Sequence, residues 1–303
     1  MTLRELVDAY MAAYAGRDRT RPAVLARWCA ALGDRPFATL TDQDVFSGLE
    51  AIRTEPARVY KGRDEFDRPI FEFKPKPRTP ATVNRYHAAL AAVFTWAIKR
   101  RLAPRGFEHP CRNVERLPER NAVVRFLSQA ELTRLLAACR TSGWPRLYLL
   151  VVMAITTGAR RSELLALTWG ELDTERAIAH VRETKNGHPR ALPLTPTVLE
   201  ELARFRLPTT KPEHCLFPSR GVPTKPRVFE PSWRAALKAA QIERFRFHDL
   251  RHSCASYLAQ NGASLLEIAD VMGHRQLAMV KRYAHLTTDT KAKLVNRILG
   301  DIR

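Results

Sequence analysis

Residues 246 to 285 hold the side chains best suited to chemistry. His248 and Arg251 form an H-x-x-R pair, His274 follows Gly273, and Tyr283 lies nine residues beyond that histidine. A phenol is a poor nucleophile at neutral pH: with a reference pKa of about 10, only ~0.1% is ionised at pH 7. Surrounded by arginine and histidine, it could be used against a phosphorus centre. Two further candidates lie about a hundred residues upstream. Arg160 and Arg161 follow Gly158 at a break between helices, where a guanidinium held by two rigid elements can be aimed; either could instead pair with Glu163 or Glu171 on the surface. Lys185 directly precedes Asn186-Gly187, a tight-hairpin signal, and so stands on a tip that can reach into a groove or is simply solvated.

The elements that must position these residues are mostly helical. Apolar spacing predicts an amphipathic helix over 2–15, a second over about 22–32 and a third capped by Thr41. Val59 and Tyr60, then Ile70, Phe71 and Phe73, flank GRDEFDRP and predict a small hairpin within 55–78. Thr79 caps a long helix with Pro80 at its first position. On that helix or at its end, Arg85, Lys99, Arg100 and Arg101 are candidate DNA contacts, or a basic end that suits the helix dipole. Prolines and alternating charge over 102–126 read as a linker, with a domain boundary near 115.

Beyond the linker, Ser128 with Glu131 is a capping box and Leu127 with Leu132 its staple. A buried helix spans 145–156, followed by a new helix over ARRSELLALTW. A strand–turn–strand occupies 177–194, a helix starts at Thr195-Pro196, and the Pro-rich stretch 207–228 reads as loop. His214 and Cys215 have no partners at ligand spacing and are read as structural. Helices follow at about 230–241 and from near His248, which places His248 and Arg251 together at i and i+3. Ser264 with Glu267 is a second capping box, and Gly273 ends that helix at its C′ position. Residues 277–285 are weakly helical, and a last helix covers 288–299.

Bulk properties narrow the partners. The chain has 303 residues, 45% of them apolar, enough for about two domains with packed cores. A formal charge of +19 points to nucleic acid ahead of an anionic membrane. The longest apolar run, Leu147 to Ile155, is too short to span a bilayer, and no secretory signal is visible at the N-terminus. Five scattered cysteines without C-x-x-C spacing argue for a reducing compartment, with neither a disulfide framework nor a zinc site.

Taken in order, TTGARRSELLALTW, ETKNGHPRALPL, HDLRHSCAS, MGH and RYAHL resemble the tyrosine recombinase (phage integrase) family over about 120–290. The resemblance implies a mainly α chain with a small β-sheet or hairpin. Residues 1–115 would be a helical, SAM-like core-binding DNA domain with the hairpin at about 55–78 inserted. Residues 116–303 would be an α+β catalytic domain with a C-terminal tail helix. It implies Arg160 as the first catalytic arginine, Lys185 as the hairpin lysine, His248 and Arg251 as the H-x-x-R pair, His274 as the second histidine and Tyr283 as nucleophile. Small departures are Ala159, Met272 and Ala278-Met279, and no arm-site DNA-binding domain precedes the core-binding helices.

In the implied reaction Tyr283 attacks a DNA phosphodiester, displaces a 5′-oxygen and leaves a 3′-phosphotyrosine. Arg160 and Arg251 would hold the non-bridging oxygens, Lys185 would protonate the leaving oxygen, and His248 would accept the proton of Tyr283 or orient it. No cofactor and no metal enter. The implied partners are double-stranded DNA, a homotetramer on two sites with tail segments passed between subunits, and accessory DNA-bending or directionality proteins. The implied setting is cytoplasmic and nucleoid-associated, in a bacterium or encoded by a phage, for a mobile element. A type IB topoisomerase-like relaxing enzyme and a non-catalytic DNA-binding relative are the alternatives.

Overall fold

A computed structural model of the chain describes residues 1–66, 68–74, 77–119, 125–182, 189–274, 276–287 and 296. The chain divides into two compact units, Met1–Asn121 and Ala122–Arg303.

The first unit is helical. Its elements are α1 (Leu3–Ala12), α2 (Arg21–Leu32), α3 (Asp42–Thr54), the hairpin β1 (Ala57–Arg63) and β2 (Pro69–Lys74), and α4 (Pro80–Lys99). Thr2 and Thr41 each accept from the backbone N–H three residues on, while Glu5 and Asp44 bond back to them, so two of these helices begin in reciprocal capping boxes. Thr79 caps α4 through Thr82 N–H, with Pro80 at the first helical position. Leu3, Leu6, Leu25, Trp28, Val45, Ile52, Leu90, Val93 and Phe94 close the core. Burying side chains of this size is worth about 1.5–3 kcal/mol each. The hairpin is antiparallel, with Ala57 opposite Lys74 and an irregularity between Tyr60 and Gly62.

The second unit wraps helices and short strands around α6 (Leu147–Thr157). Ten of that helix's residues, Leu147 to Ile155 and Thr157, are buried, because α5 (Gln129–Arg140), α8 (Pro196–Phe205) and α10 (Asp249–Gln260) all pack against it. A helix apolar all round is a core helix. The remaining elements are α7 (Arg161–Ala166), β3 (Leu172–Asp173), β4 (Ile178–Val181), β5 (Arg190–Pro193), β6 (Pro218–Ser219), β7 (Val222–Pro226), α9 (Glu230–Ala239) and α11 (Leu265–Met272). Leu277–Met279 and Lys281–Thr287 form 3₁₀ turns. Strands β3, β4 and β5 make one antiparallel sheet, with Ala179 opposite Leu172 on one side and Leu192 on the other.

Two expectations change. The stretch 207–228 is not all loop: β6 and β7 pair across it, with Pro218 opposite Pro226. Proline is tolerated there because the pair forms a separate two-stranded edge, where a missing N–H costs no second ladder. The two-stranded reading of 177–194 gains β3 as a third strand. The Asn186-Gly187 turn and the helix expected over 288–299 lie outside the described residues, Asn296 apart.

The C-terminal cluster is a small core of its own. Cys254, Ala255 and Ala259 of α10 meet Ile268, Ala269 and Met272 of α11, Val280 between the two 3₁₀ turns, and Tyr283 of the second. Hydrogen bonds fix α10 against the start of α5: Leu127 N–H donates to Ser253 Oγ at 3.0 Å, and the Tyr257 hydroxyl donates to Leu127 O at 3.0 Å.

Candidate active site

Two helix ends converge on one arginine. Helix α6 ends at Gly158 and α11 at Gly273, both left-handed, at φ 59° and 60°. The Gly158 φ is strained for an L side chain, and a Cβ there would also lie 2.6 Å from Met272 Sδ. Arg251, on the first turn of α10 and 3% exposed, donates through Nη1 to Gly158 O and through Nη2 to Met272 O. Its Nη2 also lies 2.8 Å from His274 Nε2. Both carbonyls are C-terminal helix groups, which favour a cation. Burial, with Arg160 and Arg190 nearby, lowers the Arg251 pKa to about 10, so the group is still charged at neutral pH.

Arginine has no acceptor atom. His274 Nε2 must therefore accept, and the ring proton belongs on Nδ1. That Nδ1 is buried with no partner among the described residues. A buried unpaired donor costs about 1–3 kcal/mol. Burial first, then Arg251, Arg160, Arg282 and Arg190, pull the His274 pKa down to about 4.

Arg160 precedes the first turn of α7. Its backbone N–H donates to Glu163 Oε2 at 2.9 Å and its Nη1 to Glu163 Oε1 at 2.7 Å. Glu163 is 2% exposed and also receives Arg190 Nη2 at 2.7 Å. Burial raises the Glu163 pKa, but the Arg160 and Arg190 interactions outweigh it and hold the group below its ordinary value. Of the two arginines after Gly158, Arg161 makes the surface pair, to Glu230 at 2.8 Å.

Tyr283 is 1% exposed. Its hydroxyl is bonded to His252 Nδ1 at 2.6 Å, whereas the sequence reading names His248 as its proton acceptor or orienter. His248 caps the start of α10, one helical turn back, exposed, its ring 5.2 Å from that of His252. Burial raises the Tyr283 pKa against the opposing pull of Arg282 and Arg251. For His252 burial is the main cause of a lowered pKa, which falls to about 4.

The structure thus brings Arg160, Arg251, His274 and Tyr283 into one electrostatic neighbourhood, with His248 at its edge. Lys185 lies outside the described residues. Arg85 is engaged elsewhere, in the first unit, donating to Asp18 at 2.9 Å and Thr20 at 2.6 Å. Lys99, Arg100 and Arg101 are exposed at the end of α4, Arg101 with φ 58°. Among the described residues no group of acidic, histidine or cysteine side chains could hold a metal ion, and no helix is long and apolar enough to cross a membrane. All five cysteines are buried and free.

Two site residues were missed. His252 sits at i+4 from His248, a spacing that places both rings on one helix side. Arg190 shares a strand face with buried Leu192, because side chains alternate along β5. Besides Glu163 it donates to Val271 O at 2.7 Å, and so ties β5 to α7 and to the end of α11.

Protonation should loosen this unit. His252 and His274 have folded pKa values of about 4 against 6.5 free, so their neutral forms favour the folded state. A depressed histidine contributes stability that is full above the free value and is lost as pH falls through the folded one. The melting temperature is expected to drop from pH 6.5 to about 4. A flat profile across that window contradicts neutral, desolvated histidines.

A helical unit followed along the chain by an α+β unit that holds a buried tyrosine and several guanidinium groups is the organisation of the tyrosine site-specific recombinases. The phage integrase family model matches residues 125–290, and the chain belongs to that family. The integrase of Salmonella phage P22 is 28% identical over 90% of this chain and 73% of its own length. The integrase of Haemophilus phage HP1 is 30% identical over 88% of this chain and 70% of its own. The Tn1549 transposon integrase in complex with circular intermediate DNA shares the fold at 19% identity, with a TM-score of 0.71 over 97% of this chain and 99% of that one. A lambda integrase dimer bound to a COC′ core site gives 0.66 at 19% identity, over 93% and 95%.

Proposed function

We propose that this recombinase cuts and rejoins double-stranded DNA through a 3′-phosphotyrosine at Tyr283. The observation that carries the reading is a buried phenol under the electrostatic pull of Arg282 and Arg251, in a site where Arg160 and Arg190 share one buried carboxylate, Glu163, and Arg251 has none of its own. Such a surplus of fixed positive charge favours an anionic ligand. A phosphodiester supplies that anion and an electrophile together.

In this reading Arg251 and Arg160 donate to the non-bridging oxygens, where charge accumulates in the transition state. Three of the five N–H donors of Arg251 are used on its protein partners, which leaves two for a ligand. Arg160 is tethered through one Nη to Glu163 and keeps its other donors. His274 Nδ1–H is a further donor. These groups are held before substrate arrives, so little reorganisation is needed in the reaction. Lys185 protonates the departing 5′-oxygen. The energy of the broken bond stays in the phosphotyrosine, and a foreign 5′-hydroxyl can attack it without ATP.

The remaining assignments follow the same reading. The first unit is a core-type DNA-binding domain with Lys99, Arg100 and Arg101 as exposed phosphate contacts. Arg85, already engaged with Asp18, is the weaker candidate among the four. The working assembly is a homotetramer on two sites, aided by DNA-bending or directionality proteins. It acts in the cytoplasm on nucleoid DNA to integrate or excise a mobile element.

A nicked suicide substrate tests the chemistry. The chain should be trapped covalently on it, and Tyr283→Phe should bind the same DNA yet form no adduct. An adduct on Tyr283→Phe removes Tyr283 as nucleophile. Lys185→Ala should slow cleavage at a normal 5′-oxygen far more than at a 5′-thiolate, which leaves without a proton. Equal losses on the two substrates remove Lys185 from the acid role.

A further inference from the structure

We propose that His252 is the proton acceptor for the Tyr283 hydroxyl, a catalytic residue additional to the six assigned above. The proposal rests on the phosphotyrosine reading and adds the destination of the phenolic proton.

Geometry carries it. The Tyr283 hydroxyl lies 2.6 Å from His252 Nδ1, and the tyrosine is 1% exposed. A proton leaving so buried a phenol passes to a side chain rather than to bulk water. Cys254, the nearby thiol, is pushed up to about 11 by burial, so it holds its own proton and cannot take another. His248 projects from the exposed start of α10 and meets His252 ring to ring rather than the phenol.

The ionisable groups around His252 come from two elements. His248 and Asp249 lie on or at the start of its own helix and Arg246 just before it, while Arg282 and Tyr283 face it from the 3₁₀ turn Lys281–Thr287. Burial and the three cationic or proton-bearing neighbours keep the imidazole neutral, against the single opposing carboxylate of Asp249. A neutral imidazole with bare Nδ1 is the form that accepts. It stays a weak base until an anionic phosphodiester enters the site and offsets the charge that a proton would add.

The step balances. The Tyr283 Oη–H bond breaks and a His252 Nδ1–H bond forms as Oη attacks phosphorus. The P–O5′ bond breaks, and O5′ takes a proton from Lys185. The protein gives up one proton, the one Lys185 passes to O5′, so protein and DNA together neither gain nor lose any, and no oxidant or co-reactant enters. Religation runs the transfers backwards, His252 returning its proton to the departing tyrosine.

The test is single-turnover cleavage of the suicide substrate by the full chain, carried from about pH 6 to about pH 9, where the phenol begins to ionise unaided. The variants are His252→Gln, which keeps a polar group against the hydroxyl, and His252→Ala. Wild-type cleavage should vary little over this range. His252→Gln should cleave roughly 10²–10³-fold more slowly at neutral pH, within the usual span for general-base catalysis. Its rate should then climb about tenfold per pH unit as free phenolate becomes available. Added imidazole should partly restore His252→Ala.

Three results overturn the proposal. One is a wild-type rate and profile in His252→Gln. Another is faster cleavage, which would make the hydrogen bond only a resting latch. The third is a loss of equal size at every pH without imidazole rescue, the mark of a purely structural role. DNA binding and melting temperature of each variant are measured alongside, so that a misfolded protein is not scored as slow. Failure here is separate from failure of the phosphotyrosine reading, since only the latter predicts that Tyr283→Phe forms no adduct.

Discussion

Arg251→Lys is expected to slow formation of the covalent DNA adduct by about 10³-fold or more, with DNA binding reduced far less. Removing one preorganised donor at developing charge costs on the order of 10²–10³ in rate. Lysine cannot reproduce a planar fork that spans two carbonyls and His274 while facing a phosphate. Its ammonium would be drawn to Gly158 O and Met272 O, and the phosphate would lose both paired donors. Arg251→Ala should also destabilise the unit, because two buried helix-end carbonyls lose their donor at about 1–3 kcal/mol each. The measurement is single-turnover adduct formation at saturating protein. A loss below tenfold for Arg251→Lys would mean that Arg251 braces the helix ends without touching the reacting phosphate.

Glu163→Gln is expected to carry the largest stability effect in the second unit. The carboxylate is 2% exposed and accepts from two guanidinium groups whose side chains are 19% and 13% exposed. Taking one partner from a buried ion pair costs about 3–5 kcal/mol, because the remaining charge is left uncompensated. For a unit of this size that lowers the melting temperature by on the order of 10 °C. The two arginines would then repel each other with no carboxylate between them. Core-site DNA or a high phosphate concentration should recover more stability in this variant than in the wild type, since either replaces the missing anion. Thermal denaturation with and without DNA checks both parts. An unchanged melting temperature would show that Glu163 does not hold the arginines together.

The two largest effects sit at helix ends, and those ends were legible before the fold was known. Ser128 with Glu131 and Ser264 with Glu267 do form reciprocal capping boxes. Gly158 and Gly273 do adopt the left-handed conformation that stops a helix. These are local signals, set by residues within one turn of each other, so sequence alone carries them. The core of α6 was legible for the same reason: an unbroken apolar run too short for a bilayer has to be wrapped by protein.

Pairing over long distances was not legible. Arg190 contacts Glu163 and Val271 from strand β5, and only the folded chain brings them together. His252 was hidden beside the H-x-x-R pair. One helical position decides whether a ring faces the tyrosine, and the 3₁₀ geometry of Lys281–Thr287 fixes where that tyrosine lies. The hairpin of β6 and β7 was hidden by its prolines, which normally argue against a strand.

Every catalytic assignment above depends on Tyr283 as the nucleophile. The most direct measurement is to trap the adduct on a nicked suicide substrate, digest protein and DNA, and locate the linked residue by mass spectrometry. One linked peptide is expected, spanning Tyr283, joined through its phenolic oxygen to a 3′-phosphate. Linkage at any other residue, or to a 5′-phosphate, would contradict it.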